Sequence, residues 1–172
     1  ILALDNHWNA QPSKSALIDP KDPLKITKID TFVLKNSWVF LKISTNAGIV
    51  GWGESCSGAN VESIHEALKG MEPIFMGRDP WNRDALHHDV YRRGIWNFRE
   101  PTMNFAWAGI DMALWDICGK ACGQPVWRLL GGYRDTVPTY ADGAGYTSAP
   151  DQSPEGIAAK VKEFSDLGYD AI

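Results

Sequence analysis

Three segments near the start of the chain are joined by connections too short for anything but a hairpin. Residues 26–34, 38–45 and 49–54 are rich in β-branched and aromatic side chains, which is typical of strands. Turns of three residues, 35–37 and 46–48, join them. A parallel pair of strands would need a crossover of a dozen residues or more. The sequence therefore predicts a three-stranded antiparallel meander.

Helical periodicity follows the predicted sheet. Helices are predicted over residues 61–70 and 81–93, with a short helical turn at 126–130. Between the second helix and this turn, apolar side chains recur at steps of four and three residues, which places them on one face of a third helix. The members of this stripe are Met103, Trp107, Ile110, Leu114, Ile117 and Ala121. We expect the stripe to face the core.

The pattern changes again near the end of the chain. Residues 137–141 are typical of a strand, and the polar, glycine-rich segment 142–148 is typical of a loop. Ser153 and Pro154 are residue types preferred at the N-cap and the first position of a helix. A further strand is predicted from Tyr169 on. Strand, loop, helix and strand form one βαβ unit, which indicates the start of a parallel α/β domain.

Composition and charge exclude several classes of partner. The net charge is −4, and Lys and Arg are interspersed with Asp and Glu, so we expect no nucleic acid partner. No run of ~20 apolar residues is present, so we expect no membrane span. The cysteines are odd in number, which argues against a disulfide framework and favours a cytoplasmic location. Cys118 and Cys122 lack the accompanying ligands of a metal site, so packing is the favoured interpretation.

Several polar residues could be considered as catalytic residues or metal ligands. For most of them, the spacing along the chain argues against such a role. Asp111 and Asp116 are five residues apart on the predicted third helix, about 140° around its axis, so their carboxylates do not converge. We expect each to form salt links within its own domain or hydrogen bonds to the α/β domain that follows. His87 and His88 are adjacent on a helix and point apart, so a shared metal is not expected. Glu54, at a strand end, could serve as a pocket acid, cap a helix or bind an arginine.

The longest motif in the chain runs from residue 106 to residue 131. It contains the run AWAGIDMALWDICGK, followed by Pro125-Val126 and Leu129-Leu130-Gly131. This motif resembles the first signature of the mandelate racemase/muconate lactonizing enzymes of the enolase superfamily. Residues 51–54, Gly-Trp-Gly-Glu, resemble the family's G-x-G-E strand end. Residues 77–80, Gly-Arg-Asp-Pro, resemble its G-x-D-P turn. The resemblance extends over residues 25–172.

This resemblance implies an α+β fold in two parts. The meander and the helices would form a capping domain, followed by the beginning of a (β/α)7β TIM-like barrel. Residues 1–24 would then be an N-terminal arm, 25–134 the capping domain, and 135–172 the first βαβ unit of a truncated barrel. Residues 35–38 and 55–60 would be the two cap loops that line the substrate pocket.

The resemblance also implies which side chains contact a substrate. The candidates on the cap loops and after the first barrel strand are Asn36, Ser37, Trp38, Ser57, Asp142 and Tyr146. Rim or core packing is the alternative interpretation of Trp38. The catalytic residues and metal ligands of the family lie on later barrel strands, so we expect them after Ile172. Because the chain begins with Ile1, we expect both ends to belong to a longer protein.

The short first cap loop resembles that of the acid-sugar (galactonate-type) dehydratases, which are hydro-lyases. That resemblance implies Mg²⁺ bound by the barrel, removal of the proton α to a carboxylate, an enediolate intermediate, and loss of the β-hydroxyl to give a 2-keto-3-deoxy acid. Racemase, epimerase or cycloisomerase activity in the same family is one alternative, and a non-catalytic binding or assembly module is another. The family implies a small-molecule sugar-acid substrate and a homo-oligomer. This segment alone is expected to be inactive.

Overall fold

The computed structural model describes residues 23–35, 38–57, 61–93, 101–134, 136–142, 151–169 and 171, without the side chains of residues 56, 57 and 93. The described residues fall into two compact units. The first unit extends up to Gly131, and the second extends from Gly132 on. No helix in the described ranges combines the length and the apolar character needed to cross a bilayer.

The first unit begins with the predicted meander. Its strands are β1 (Ile26–Val33), β2 (Trp38–Thr45) and β3 (Val50–Ser57), in the order β1-β2-β3 with both pairs antiparallel. Gly48 takes a φ of 76° in the second hairpin turn, a conformation that glycine adopts without steric cost. The prediction of three antiparallel strands is confirmed, although β3 runs past the predicted end at residue 54.

One face of the sheet forms the core together with the helices. On β2, Val39, Leu41 and Ile43 are fully buried. The first helix, α1 (Val61–Phe75), covers this face and continues beyond the predicted end at Gly70. Because its last turn buries Phe75 completely, apolar burial offsets the helical hydrogen bond lost within that turn at Pro73.

A tight turn precedes the second helix and pairs with the edge of β1. The N–H of Ile26 donates to the carbonyl of Arg78 at 2.9 Å, and the N–H of Gly77 donates to the carbonyl of Ile26 at 2.8 Å. Asp79 accepts from the N–H of Trp81 through its side chain at 2.9 Å. Helix α2 therefore begins two residues later than predicted and spans Arg83–Arg93.

The third helix, α3 (Pro101–Cys122), confirms the predicted apolar stripe. Ile110, Leu114 and Ile117 are fully buried, and the other three members of the stripe pack against the core with part of their surface exposed. Gly123, with a φ of 63°, follows the end of the helix. The short helix α4 (Val126–Leu129) completes the first unit.

The second unit contains the predicted helix without the strand predicted before it. Helix α5 (Pro154–Asp166) has Ser153 as its N-cap, whose side chain accepts from the N–H of Gly156 at 3.0 Å. Residues 136–142 form no strand, so the prediction of a strand at 137–141 is wrong. Of the strand predicted from Tyr169 on, residues 170 and 172 lie outside the described residues. The N–H of Ala141 donates to the carbonyl of Ala171 at 3.0 Å. Val137 and Tyr140 are exposed, and a strand gains little stability where its apolar side chains stay exposed.

Candidate functional site

A residue of each predicted cap loop lies at one end of the sheet. Trp38, the first residue of β2, pairs with Ser57, the last residue of β3. The N–H of Leu34 donates to the carbonyl of Trp38 at 2.8 Å and closes the turn between β1 and β2. This pairing of backbones places the last residue of the first loop (35–38) beside a residue of the second loop (55–60) at one end of the sheet.

An irregularity in β3 leads the chain into the second of these loops. Val39 pairs with Cys56 and Phe40 pairs with Glu54, so Ser55 is an additional residue on β3. Such a bulge bends its strand and increases the local twist. The Ser55 side chain is buried, and its hydroxyl has no hydrogen-bond partner among the residues that the structure describes.

Glycines bring the backbone of α3 into direct contact with β3 just before the bulge. A Cβ on Gly51 or Gly53 would overlap the main-chain carbonyls of Ala113 and Gly109, respectively. A Cβ on Gly109 would overlap the Ser55 hydroxyl. This contact explains the Gly-Trp-Gly-Glu motif and the glycine of the signature helix, since only glycine leaves room for the two backbones. The position of the second loop therefore depends on α3.

Side chains of α3 also satisfy the free edge of β3. The Asp116 carboxylate accepts from the N–H of Trp52 at 2.9 Å, and the Lys120 ammonium donates to the carbonyl of Val50 at 2.7 Å. Lys120 and Asp116 form an ion pair with each other at 2.6 Å. The pattern of residue types gave no signal for these bonds, because the partner on β3 is main chain.

Asp111 forms a separate contact on another side of the helix. Its carboxylate accepts from Arg83 at 2.9 Å. The expected salt links are present, since Asp111 pairs with Arg83 and Asp116 pairs with Lys120. No group of three or more potential metal ligands is found among the described residues.

The indole of Trp38 is available at this end of the sheet. It is 40% exposed, and its ring centroid lies 5.8 Å from that of Phe40. Both residues belong to the outer face of the sheet, which we define as the face opposite the helices. Whether Trp38 contacts a substrate stays a prediction.

The remaining candidates are placed only in part. The backbone of Ser57 is described, but its side chain lies outside the described residues, as do Asn36, Ser37 and Tyr146. Asp142 is exposed and belongs to the second unit. The structure therefore brings together Trp38 and the backbone of Ser57, and their role in binding stays a prediction.

Three titratable side chains away from this end of the sheet, Cys118, His65 and His87, are packed against other residues of the first unit. Burial, with a smaller contribution from nearby Cys122, raises the pKa of the Cys118 thiol to about 11. A thiol that stays protonated at neutral pH is a poor metal ligand and a poor nucleophile. The imidazole of His65 is 2.9 Å from the Thr31 hydroxyl, and that of His87 is 4.9 Å from the Trp107 ring. Both imidazoles therefore take part in contacts within the first unit.

Known proteins share both the sequence and the fold. The family described as "Mandelate racemase / muconate lactonizing enzyme, N-terminal domain" matches residues 16–131. A D-galactonate dehydratase from Pectobacterium atrosepticum is 38% identical over 150 residues, which cover 87% of this chain and 37% of that protein. The chain thus spans about a third of the length of this relative.

Solved structures give the same result. A crystal structure of an enolase superfamily member from Salmonella Typhimurium matches with a TM-score of 0.76 and 32% identity over 86% of this chain and 41% of the other. A mandelate racemase/muconate lactonizing enzyme from a marine actinobacterium, in complex with magnesium, matches with a TM-score of 0.72 and 29% identity over 84% of this chain and 41% of the other. With the family matched across residues 16–131 and the meander and helices matching the enolase capping domain, the chain belongs to the mandelate racemase / muconate lactonizing enzyme family and carries its N-terminal domain.

Proposed function

We propose that this chain forms the capping domain of a Mg²⁺-dependent acid-sugar dehydratase. Two observations support the proposal. The relative from Pectobacterium atrosepticum is named D-galactonate dehydratase. The pairing of Trp38 with Ser57 places the two predicted pocket loops next to each other, as a lid over a small substrate requires. The pairing at the end of the sheet carries the argument for a lid, and the relative's name carries the argument for the reaction.

The proposed reaction removes the proton α to a carboxylate and then expels the β-hydroxyl as water, which leaves a 2-keto-3-deoxy acid. Magnesium, when bound, would supply the positive charge that an enediolate needs. The described residues do not fit a magnesium site, since no three potential ligands converge among them. We therefore derive no step through the metal, and we propose that it binds in the portion of the relatives that this chain does not span.

The part of the reaction that we assign to this chain is substrate enclosure. Lid loops exclude water and hold the reacting group in place, and both effects lower the barrier to a charged intermediate. Trp38 offers a rigid apolar surface at the loop end. We extend the proposal to a cytoplasmic location, in line with two free cysteines on α3.

The proposal is tested on the product of the gene that contains this chain. Purified protein is incubated with a panel of aldonic and aldaric acids, with Mg²⁺ or with EDTA, and formation of 2-keto acid is measured. We expect turnover of at least one acid, abolished by EDTA and restored by Mg²⁺. Absence of turnover on every acid, from a folded protein supplied with Mg²⁺, would refute dehydration.

A substitution in the first loop tests the lid directly. Trp38→Ala should raise KM for the sugar acid roughly tenfold and change kcat little, because an apolar contact made equally in the ground and transition states affects binding alone. Trp52→Ala is the matched control, since Trp52 is also exposed on the outer face but lies farther from the loop. We expect its KM to change less than about twofold. Equal effects of the two changes would contradict a specific role of Trp38.

Racemisation, epimerisation or cycloisomerisation is the second candidate, since the structure from the marine actinobacterium is named for the whole family rather than for dehydration. The two classes differ in the fate of the substrate in deuterated water. Incorporation of deuterium at the α-carbon without loss of water would favour the second candidate, whereas a 2-keto product would favour dehydration.

A further inference from the structure

A groove in the first unit lies between the start of α2 and the middle of α3. Its volume is about 390 Å³, and Trp81, Ala85 and Trp115 contribute to its walls. The guanidinium of Arg83 lies 4.0 Å from the centre of the Trp115 ring and pairs with Asp111 at 2.9 Å. The Arg83 charge is thus already compensated inside the fold. Asp84, at the rim, has a side chain that is 96% exposed, and its carboxylate lies 3.3 Å from the guanidinium of Arg83. The groove therefore combines aromatic walls with an accessible negative charge, which suits a cation.

The exposed face of α2 carries charges in a symmetric arrangement. His88 lies at its centre, with Asp84 four residues before it and Arg92 four residues after it, and all three are exposed. Residues four apart on a helix lie one turn apart on the same face. Arg92 forms no ion pair with any residue that the structure describes. One end of this face is therefore negative and next to the groove, and the other end is positive.

From this arrangement we infer that a second copy of the chain docks here, with the two α2 helices antiparallel about a two-fold axis beside His88. A two-fold axis brings each position before His88 opposite positions after it on the other copy. Arg92 of each copy then reaches over the partner's Ala85, which is small, into the groove beside the partner's Trp81 and the partner's Asp84. The contact occurs twice, because a two-fold interface uses the same surface on both copies.

The charge pattern identifies the occupant. The face of α2 carries a negative charge at one end and a positive charge at the other, equally far from its centre. Two such faces attract each other in the antiparallel orientation and repel each other in the parallel one. Antiparallel helices also place opposite dipole ends together. Trp81 and Tyr91, which are 41% and 47% exposed, belong with arginine to the residue types that are enriched at the centres of interfaces. A basic side chain that enters an aromatic groove beside a carboxylate combines a cation–π contact with an ion pair.

The test uses charge reversal in the product of the gene that contains this chain, with molecular mass measured by light scattering after size exclusion and association measured by sedimentation. We expect a dimer in the unsubstituted protein. Arg92→Glu and Asp84→Lys should each weaken association by roughly tenfold or more, because each places like charges together twice. Lys69→Glu, which makes the same charge change as Arg92→Glu on α1 in the same unit, is the matched control and should leave association unchanged.

Mixing the two weakened variants gives the sharpest result. In a mixed pair, Glu from one chain meets Lys from the other, and the unchanged Asp84 and Arg92 also meet, so a heterodimer should form from two proteins that are separately monomeric. Circular dichroism shows whether each variant is folded. If Arg92→Glu does not fold, Arg92→Gln, which removes the positive charge without reversing it, replaces it in the test. A monomeric unsubstituted chain, no effect of the Arg92 variants, or a mixture that stays monomeric would each overturn the inference.

Discussion

The two compact units contain helices of similar local quality that differ in what they cover. In the first unit, α3 fully buries Ile110, Leu114 and Ile117 against the sheet and α1. In the second unit, α5 has a well-formed N-cap at Ser153 and an apolar face, yet none of its residues is buried. Capping and periodicity therefore decide whether a helix forms, whereas burial depends on elements elsewhere in the chain.

The same difference separates the strands of the two units. β2 lies between two partners and has one face covered by helices, so its ladder is regular. In the second unit, Val137 and Tyr140 are 71% and 68% exposed, and one hydrogen bond, at Ala141, joins the described residues of their segment to those near 170. A strand is stabilised by a neighbour and a covered face, and the described part of the second unit shows little of either.

The largest effect should come from shortening one leucine in each unit. Leu114→Ala leaves a cavity in a closely packed core and should lower the free energy of unfolding by about 3 to 4 kcal/mol. Leu167→Ala, next to the end of α5 where the side chain is 48% exposed, should cost less than about 0.5 kcal/mol. Urea denaturation followed by circular dichroism measures both. Comparable losses would show that the second unit has a core of its own under solution conditions.

The second largest loss of stability should come from adding a side-chain atom at the close contact between α3 and β3. Gly109→Ala would push a Cβ against the Ser55 side chain and to 2.6 Å from Leu41, so the free energy of unfolding should fall by about 3 kcal/mol. Gly70→Ala, on α1 with no atom within 4 Å, should raise it by about 0.5 to 1 kcal/mol through helix propensity. The same urea titration distinguishes them. A neutral Gly109→Ala variant would mean that the helix can move away from the sheet at little cost.

Most of the first unit could be predicted because its signals are local. The three-residue turns determine the sheet, and the spacing of Ile110, Leu114 and Ile117 determines the buried face of α3. Where local signals and burial disagree, burial prevails. Gly70 and Pro73 mark a helix end by residue type, but the burial of Phe75 keeps α1 going. In the second unit, residues 137–141 are of types typical of strands, yet the described residues there form no strand.

The candidate site was predictable to a similar degree. Adjacent loops follow from the meander, but the pairing of Trp38 with Ser57 does not, because the bulge at Ser55 shifts the register by one residue. Gly51 and Gly53 in a strand also signal a close backbone approach, but the sequence does not identify α3 as the neighbour. The bulge at Ser55 had no signal, because any residue type can occupy the additional position.

An effect of intermediate size on the free energy of unfolding should come from the Cys118 thiol, which lies in the last turns of α3. The pKa of Cys118 is raised by burial from 9.0 to about 11, so the thiol form is favoured in the folded state. Its contribution is fully present below pH 9 and is lost as the pH rises towards 11. The difference in unfolding free energy between the unsubstituted chain and Cys118→Ala should therefore shrink by on the order of 2 kcal/mol over that interval. A constant difference would mean that Cys118 is not desolvated.

The smallest change in the free energy of unfolding should come from removing the Ser55 hydroxyl at the bulge. Whether this change is a gain or a loss of stability is the informative result. Ser55 and Thr45 are both buried, but within the described ranges only the Thr45 hydroxyl has a partner, the carbonyl of Ile49 at 2.8 Å. Ser55→Ala removes a buried group that has lost its water and gained nothing, so the free energy of unfolding should rise by about 1 kcal/mol. Thr45→Val removes a formed bond and should lower it by about as much.

The two hydroxyl variants also test how tightly the sheet meets α3. If Ser55→Ala destabilises the chain as Thr45→Val does, the Ser55 hydroxyl must be paired in solution, which requires a water molecule or a shift of the backbone at the bulge. Either change would loosen the contact with Gly109, on which the position of the second cap loop depends. A stabilised Ser55→Ala variant would instead support a dry, closely packed contact, in which the chain retains an unsatisfied hydroxyl where the strand bends towards the loop.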